Sequence, residues 1–141
     1  MTLEKTFAMI KPHAVRDGHV KGIVEMIKNA GFVISKKSEI VMSKVQAEEL
    51  YREHKGRSFY EDMVQGISSS PVVVMVLEKE NAVAEWRKAM GPTNPADADA
   101  GTIRARYGKN IGDNATHGSD SLDSSERERN IFFPNSGGCC C

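Results

Sequence analysis

The stretch Asn114-Ala115-Thr116-His117-Gly118-Ser119-Asp120-Ser121 places a lone imidazole among small and polar side chains. A neutral imidazole nitrogen is a competent nucleophile near pH 7 if the other ring nitrogen carries the proton, and a carboxylate partner supplies that tautomer. Glu128, on the face of the helix that follows, is the candidate carboxylate. Other residues break the local pattern around them: Lys11 at a strand end, Tyr51 on a helix stripe, Phe59 just before a helix, Arg87 on an otherwise inward face, Arg104 in a long loop, and Asn114 beside the histidine. Each has an ordinary use when taken singly. Tyr51 suits a core, Phe59 a hydrophobic staple, Lys11 and Arg104 a solvated surface, and Arg87 a stem that packs while its head reaches water. Taken as a set, fixed cations, an aromatic ring and an imidazole describe a nucleotide site.

The elements that must position these groups follow from the periodicity. Thr6 to Ile10 is a short apolar run that stops at Lys11-Pro12, as a buried strand does when the next residue cannot donate to the ladder. Val20, Ile23, Val24 and Ile27 form a helical stripe closed by Gly31, and Phe32 to Met42 reads as a second strand. Ser43 with Gln46, and Ser58 with Glu61, are capping-box signatures for two short helices. Pro71 to Leu77 is β-branched and continuous, which predicts a strand covered on both faces at the centre of the sheet. A helix over residues 81–90, with Val83, Trp86 and Met90 on one stripe, ends at Gly91-Pro92. No periodic pattern persists from Gly91 to Asp113 beyond a brief turn at Thr102-Ile103-Arg104, and a loop this long in a small domain is commonly functional. A last strand, Asn114 to His117, and a last helix, Ser121 to Phe133, complete the order. The fold class is therefore α/β (α+β), a split βαβ sandwich.

Composition limits the function classes. The chain has 141 residues, 40% hydrophobic and 27% charged, enough for one domain with its own core. Nineteen basic residues balance 19 acidic ones, which argues against nucleic acid as the main partner and makes any anion site local. The amino terminus, Met1 to Thr6, lacks the features of a secretory signal, and no apolar run approaches the roughly 20 residues that span a bilayer. The expectation is a cytoplasmic protein without a membrane partner. The three cysteines are Cys139 to Cys141, so neither a disulfide nor a thiolate metal site is expected in the body of the domain. Phosphate-cradling glycine loops and H-E-x-x-H are absent, so phosphate binding must use side chains. His13, His19 and His54 are scattered singly and read as structural or solvated.

From about Thr6 to Phe133 the chain closely resembles nucleoside diphosphate kinases. The most specific piece is Asn114 to Ser121, which matches the family's active-site signature. Ile10-Lys11-Pro12, Phe59-Tyr60, Ser70 to Val73, Gly91-Pro92-Thr93-Asn94-Pro95-Ala96 and Gly101-Thr102-Ile103-Arg104 support it in register. The resemblance implies a ferredoxin-like βαββαβ sandwich with a four-stranded antiparallel sheet, inserted helices and a long active-site loop. It also implies ping-pong transfer of the γ-phosphoryl group from ATP and other nucleoside triphosphates to diphosphates, through phosphohistidine, with broad base specificity. By that likeness His117 is the nucleophile through Nδ1, Glu128 holds the other ring nitrogen, and Ser119 bonds that carboxylate. Arg87, Arg104 and Thr93 grip phosphates, Lys11 and Asn114 contact the ribose 3′-hydroxyl, Tyr51 lies beside Lys11 and the histidine, and Phe59 and Ile111 sandwich the base. Mg²⁺ arrives on the nucleotide, with no protein ligand beyond Asp120 through water. A homo-oligomer, a dimer-based tetramer or hexamer, is implied as well. The alternative functions on the same fold are a nucleotide-binding protein or a protein-histidine phosphorelay.

Three positions depart from the family pattern. His13 stands where aspartate or asparagine is usual, Arg106 where an acid is usual, and Arg129 where an apolar residue is usual, next to Glu128 on the last helix. Residues 1–134 are expected to form the catalytic domain. Residues 135–141, with turn and linker composition ending in Gly-Gly-Cys-Cys-Cys, are expected to form a flexible tail. Gly138 occupies the place where a C-a-a-X lipidation signal needs cysteine.

Overall fold

A computed structural model describes residues 3–111 and 113–134. The expected tail at 135–141 lies outside the described residues. Among the described residues four strands, β1 (Leu3–Ile10), β2 (Val33–Ile40), β3 (Val72–Glu80) and β4 (Thr116–Gly118), form one antiparallel sheet in the order β2-β3-β1-β4. That is the expected ferredoxin-like arrangement. Among the described residues seven α-helices connect or follow the strands: α1 (Pro12–Arg16), α2 (Val20–Asn29), α3 (Lys44–Leu50), α4 (Tyr60–Ile67), α5 (Ala82–Met90), α6 (Ile103–Tyr107) and α7 (Leu122–Phe132).

Side-chain alternation divides the central strands between two cores. Ala8 and Ile10 of β1, with Val73, Met75 and Leu77 of β3, pack under Ile23 and Ile27 of α2 and under Trp86 and Met90 of α5. Phe7 and Met9, with Val72 and Val74, pack under Leu50 of α3, Tyr51, and Val64 and Ile67 of α4. Both faces are covered, so Val72 to Leu77 is buried throughout and its apolar run has no alternation to show.

Local signals explain the borders, with corrections. The Ser43 box forms as read: Gln46 N–H donates to Ser43 Oγ at 3.1 Å and Ser43 N–H to Gln46 Oε1 at 2.9 Å. The Ser58–Glu61 box does not form, because α4 starts at Tyr60 and the N-cap position falls on Phe59, which makes no side-chain cap bond. Pro12 does more than end β1, since it opens α1 at the first helical position, where the missing N–H is harmless. The stretch from Gly91 to Asp113 is more ordered than expected. It holds a 3-10 turn at Pro95–Asp97 and α6, capped by Thr102, whose Oγ1 accepts from Ala105 N–H at 3.2 Å. Ile103 anchors α6 in the core at 1% exposure.

The strand β4 sets the site. His117 pairs with Met9 of β1, and alternation turns its ring to the face of Phe7, Tyr51 and α7. Gly118 turns the other way, where a Cβ would collide with the Trp86 ring and the Met90 methyl. Trp86 Nε1 donates to the His117 carbonyl at 3.3 Å, so α5 holds the main chain of β4 from behind.

Candidate active site

His117 opens onto a cavity of about 1430 Å³ between the α3–α4 segment on one side and α5, α6 and their connecting loop on the other. The ring is 19% exposed and stands edge-on to Tyr51, with centroids 5.8 Å apart at 84°. Its Nε2 lies 3.2 Å from Glu128 Oε1 on α7. Ser119, fully buried, donates from Oγ to the same oxygen at 2.8 Å. The carboxylate is 4% exposed, with Arg127 Nη2 3.6 Å from its second oxygen. A carboxylate accepts only, so its contact with Nε2 requires the proton there and leaves the Nδ1 lone pair for chemistry.

The helix carrying Glu128 is anchored by side chains other than Arg129. Ser121 caps α7 by accepting from Ser124 N–H at 3.0 Å, Arg127 Nη1 donates to the Glu49 carbonyl at 2.7 Å, and Ser125 Oγ donates to the Lys5 carbonyl at 2.6 Å. Arg129 joins this docking, its Nε donating to Ser125 Oγ at 3.1 Å. The Glu128 face is left intact.

Four cations, Lys11, Arg87, Lys88 and Arg104, reach the cavity, and among the described residues none of them is in a salt bridge. Lys11, at the end of β1, donates from Nζ to Asn114 Oδ1 at 2.8 Å. Asn114 in turn donates from Nδ2 to the Thr93 carbonyl at 3.0 Å, tying β1, the entry to β4 and the loop after α5 together. Burial, then the Arg104 charge, lowers Lys11 to a pKa of about 8 despite Asp113. Arg104 departs from its expected place in a long loop. It sits on α6 at 9% exposure, with Nη1 donating to the Gly91 carbonyl at 2.8 Å and Nη2 to the Thr116 carbonyl at 2.9 Å. Burial, with Arg87 second, lowers its pKa to about 10. Arg87 is also corrected: it is exposed at the edge of the α5 stripe, facing the cavity and not the core. Lys11 and Arg104, whose charges burial disfavours and no salt bridge among the described residues compensates, form with the exposed Arg87 a site for an anion with several negative oxygens.

Phe59, 42% exposed, and Ile111, 59% exposed, are apolar groups on the cavity wall, and the exposed Thr93 lines it too. Asp120 faces the cavity, and Ser124 Oγ donates to its Oδ1 at 2.5 Å, which holds the carboxyl below its usual range and ionised. Ser119 alone among the expected site residues does not line the cavity, standing behind Glu128. His54 is a wall residue that sequence reasoning set aside as structural or solvated, with its ring 6.3 Å from Tyr51 and 5.5 Å from Phe59. Its place on the stripe after Tyr51 was the available signal.

The nucleoside diphosphate kinase family matches residues 4–137. A nucleoside diphosphate kinase of Geobacter sulfurreducens is 50% identical over 131 residues, 93% of this chain and 96% of that protein. One of Deinococcus radiodurans is 47% identical over 131 residues, 93% and 95%. Among solved structures, the Aquifex aeolicus nucleoside diphosphate kinase superposes with a TM-score of 0.90 at 34% identity, covering 94% of this chain and 96% of that one. The Halobacterium salinarum enzyme, solved in complex with CDP, superposes at 0.89 with 37% identity, covering 94% and 88%. With matches that run nearly the whole length in both sequence and fold, this chain belongs to the nucleoside diphosphate kinase family.

Proposed function

We propose that this protein moves the terminal phosphoryl group from nucleoside triphosphates to nucleoside diphosphates in two half-reactions through phosphohistidine at His117. The observation that carries the reading is the pairing of His117 Nε2 with Glu128 in a cavity that Lys11, Arg87 and Arg104 reach without being in salt bridges among the described residues. The Nδ1 lone pair attacks the γ-phosphorus, an Nδ1–P bond forms, and the bond to the β,γ-bridging oxygen breaks as the diphosphate leaves. A terminal oxygen of a second diphosphate then attacks the same phosphorus, and Nδ1 leaves with its lone pair restored. Such transfers need positioning and charge stabilisation above all. Arg87 and Arg104 suit the phosphates because guanidinium donors match phosphate oxygens, with the Thr93 hydroxyl beside them. Lys11 and Asn114 are assigned to the ribose 3′-hydroxyl, and Tyr51 to packing that holds the His117 ring. The base stacks on Phe59 against Ile111, a contact worth roughly 1–3 kcal/mol that tolerates any base, hence broad specificity.

Mg²⁺ fits this site as a passenger on the nucleotide. Among the described residues no three acidic, imidazole or thiol groups converge on a metal position, and the ionised Asp120 is placed to reach a hydrated ion through water. When bound, the ion neutralises phosphate charge. The proposed assembly is a dimer-based tetramer or hexamer, for which the edge strand β2, with Val33 exposed, offers unpaired main-chain groups. Residues 1–134 are the proposed catalytic unit, and the cytoplasm its compartment. No helix of the described residues is long and apolar enough to cross a membrane.

The test is a pulse and chase. Protein incubated with γ-labelled ATP and Mg²⁺ is expected to carry an acid-labile label that moves to GDP or CDP on addition. No label would overturn the reading. Label that passes to a protein but not to diphosphates would favour a phosphorelay.

The Lys11 environment gives a pH dependence. Although Lys11 is assigned to the ribose hydroxyl, the phosphate charge nearby favours its protonated amine, and the free protein loses that proton as pH rises through about 8. ADP affinity is therefore expected to fall between pH 7.5 and 9.5, by about tenfold for a lost charge contact of about 1.4 kcal/mol. Calorimetric titration of wild type against Lys11→Met checks it. The variant should bind weakly and without this slope, and a flat wild-type profile would refute the assignment.

A further inference from the structure

Ala115, between Asn114 and His117, is buried and adopts φ +76°, a left-handed backbone that alanine disfavours. Its two main-chain polar groups are both held from one corner of the fold. Its carbonyl accepts from Lys11 N–H at 2.8 Å, and its own N–H donates to His13 Nε2 at 2.9 Å. We propose that His13 is a positioning residue for phosphoryl transfer, its Nε2 lone pair holding the left-handed Ala115 so that His117 meets the γ-phosphorus in line. The inference rests on His117 being the nucleophile.

His13 lies on α1 at 3% exposure. A backbone N–H donates only, so Nε2 must accept and the neutral ring must carry its proton on Nδ1. That Nδ1 is buried without a hydrogen-bond partner. Stability alone would favour an apolar side chain here over a ring with one nitrogen unpaired. The bond to Ala115 is what the imidazole adds. Burial keeps the ring neutral by lowering its pKa, as do Lys109 and Lys11, against the opposing Asp113 and Asp17. Without this acceptor, Ala115 N–H has no partner at that corner and the strained φ can relax, turning Asn114 and His117 relative to Arg87 and Arg104 on other elements. Displacements near 1 Å at a reacting atom cost as much as about 10²-fold in rate.

The test compares wild type, His13→Leu and His13→Gln. Glutamine places a carbonyl oxygen near the former Nε2, whereas leucine fills the volume with no acceptor. Single-turnover phosphorylation of His117 by γ-labelled ATP, well below the melting transition of each variant, is expected to slow about tenfold in His13→Leu and to recover most of that loss in His13→Gln. ADP affinity should fall by less than the tenfold loss in rate, because Arg87, Arg104 and Phe59 stand on other elements and only Lys11 and Asn114 adjoin the altered corner. A purely structural role would lower the melting temperature and leave the rate of the folded protein unchanged. That result, or a glutamine variant no faster than leucine, overturns the proposal. Should His13→Leu not fold, ¹⁵N spectra of the wild-type ring decide: a neutral Nδ1–H tautomer is expected, and a proton on Nε2 overturns it. An inactive wild type would instead count against the assignment of His117.

Discussion

Replacing His117 by asparagine is expected to abolish turnover, with kcat lower by on the order of 10⁴-fold or more, as losses of a covalent nucleophile are. The amide nitrogen of asparagine has no available lone pair, so neither half-reaction can proceed through the side chain. The cations and the stacking wall survive, and nucleotide binding should survive with them. The fold should tolerate the change. The bond from Trp86 reaches the His117 carbonyl, and the β4 pairing with β1 is main chain, so neither depends on the imidazole. What the ring loses is packing at its edges, with Tyr51 at 5.8 Å and Phe7 at 5.9 Å. Steady-state assays with ATP and a second diphosphate, read beside a melting curve, separate lost chemistry from lost structure. Appreciable turnover by a folded His117→Asn protein would remove this residue from the mechanism.

The legibility of this molecule varied with how local each signal was. Val72 to Leu77 declared a doubly covered strand because burial on both faces demands unbroken apolar sequence. Ser43 with Gln46 declared a helix start because the capping bonds are made within the same few residues. Ser58 with Glu61 carried the same letters and formed no box, since Phe59 at the cavity wall sets where α4 begins. Arginines were the hardest to place. Arg87 shares a heptad-like spacing with buried residues, yet a position at the margin of a stripe faces core or solvent according to the curvature of the neighbouring sheet. Arg104 read as loop because α6 is five residues long, too short to show a period, and is held by Thr102 and by the burial of Ile103. Its two partners, the carbonyls of Gly91 and Thr116, are main-chain groups, which leave no residue-type signal in a sequence. The His117–Glu128 pair was legible because one helix face and one strand end lie close along the chain. His54 and His13 were not, because a single histidine looks the same in sequence whether it lines a cavity, holds a backbone or meets water.

Glu128 offers the second large effect, and its size depends on what a carboxylate does as Nδ1 attacks. The bond to phosphorus draws charge from the ring, which becomes cationic with a proton on Nε2. A buried carboxylate 3.2 Å from Nε2 stabilises that charge where water does not, and it also fixes the plane of the ring before attack. Removing it in Glu128→Ala should lower kcat by roughly 10²- to 10³-fold, the range for loss of one preorganised electrostatic partner. KM should change little, because the phosphates are held by cations on other elements. Glu128→Gln separates orientation from charge. Its amide oxygen can still accept from Nε2 and from Ser119 Oγ, which now both meet Oε1, but it carries no charge. The expected order of kcat is wild type, then Gln, then Ala, with the first gap reporting the charge and the second the hydrogen bonds. Stopped-flow rates of His117 phosphorylation measure both gaps. If Ala and Gln coincide, orientation contributes nothing and the carboxylate acts through its charge alone; if all three coincide, Glu128 has no part in the reaction.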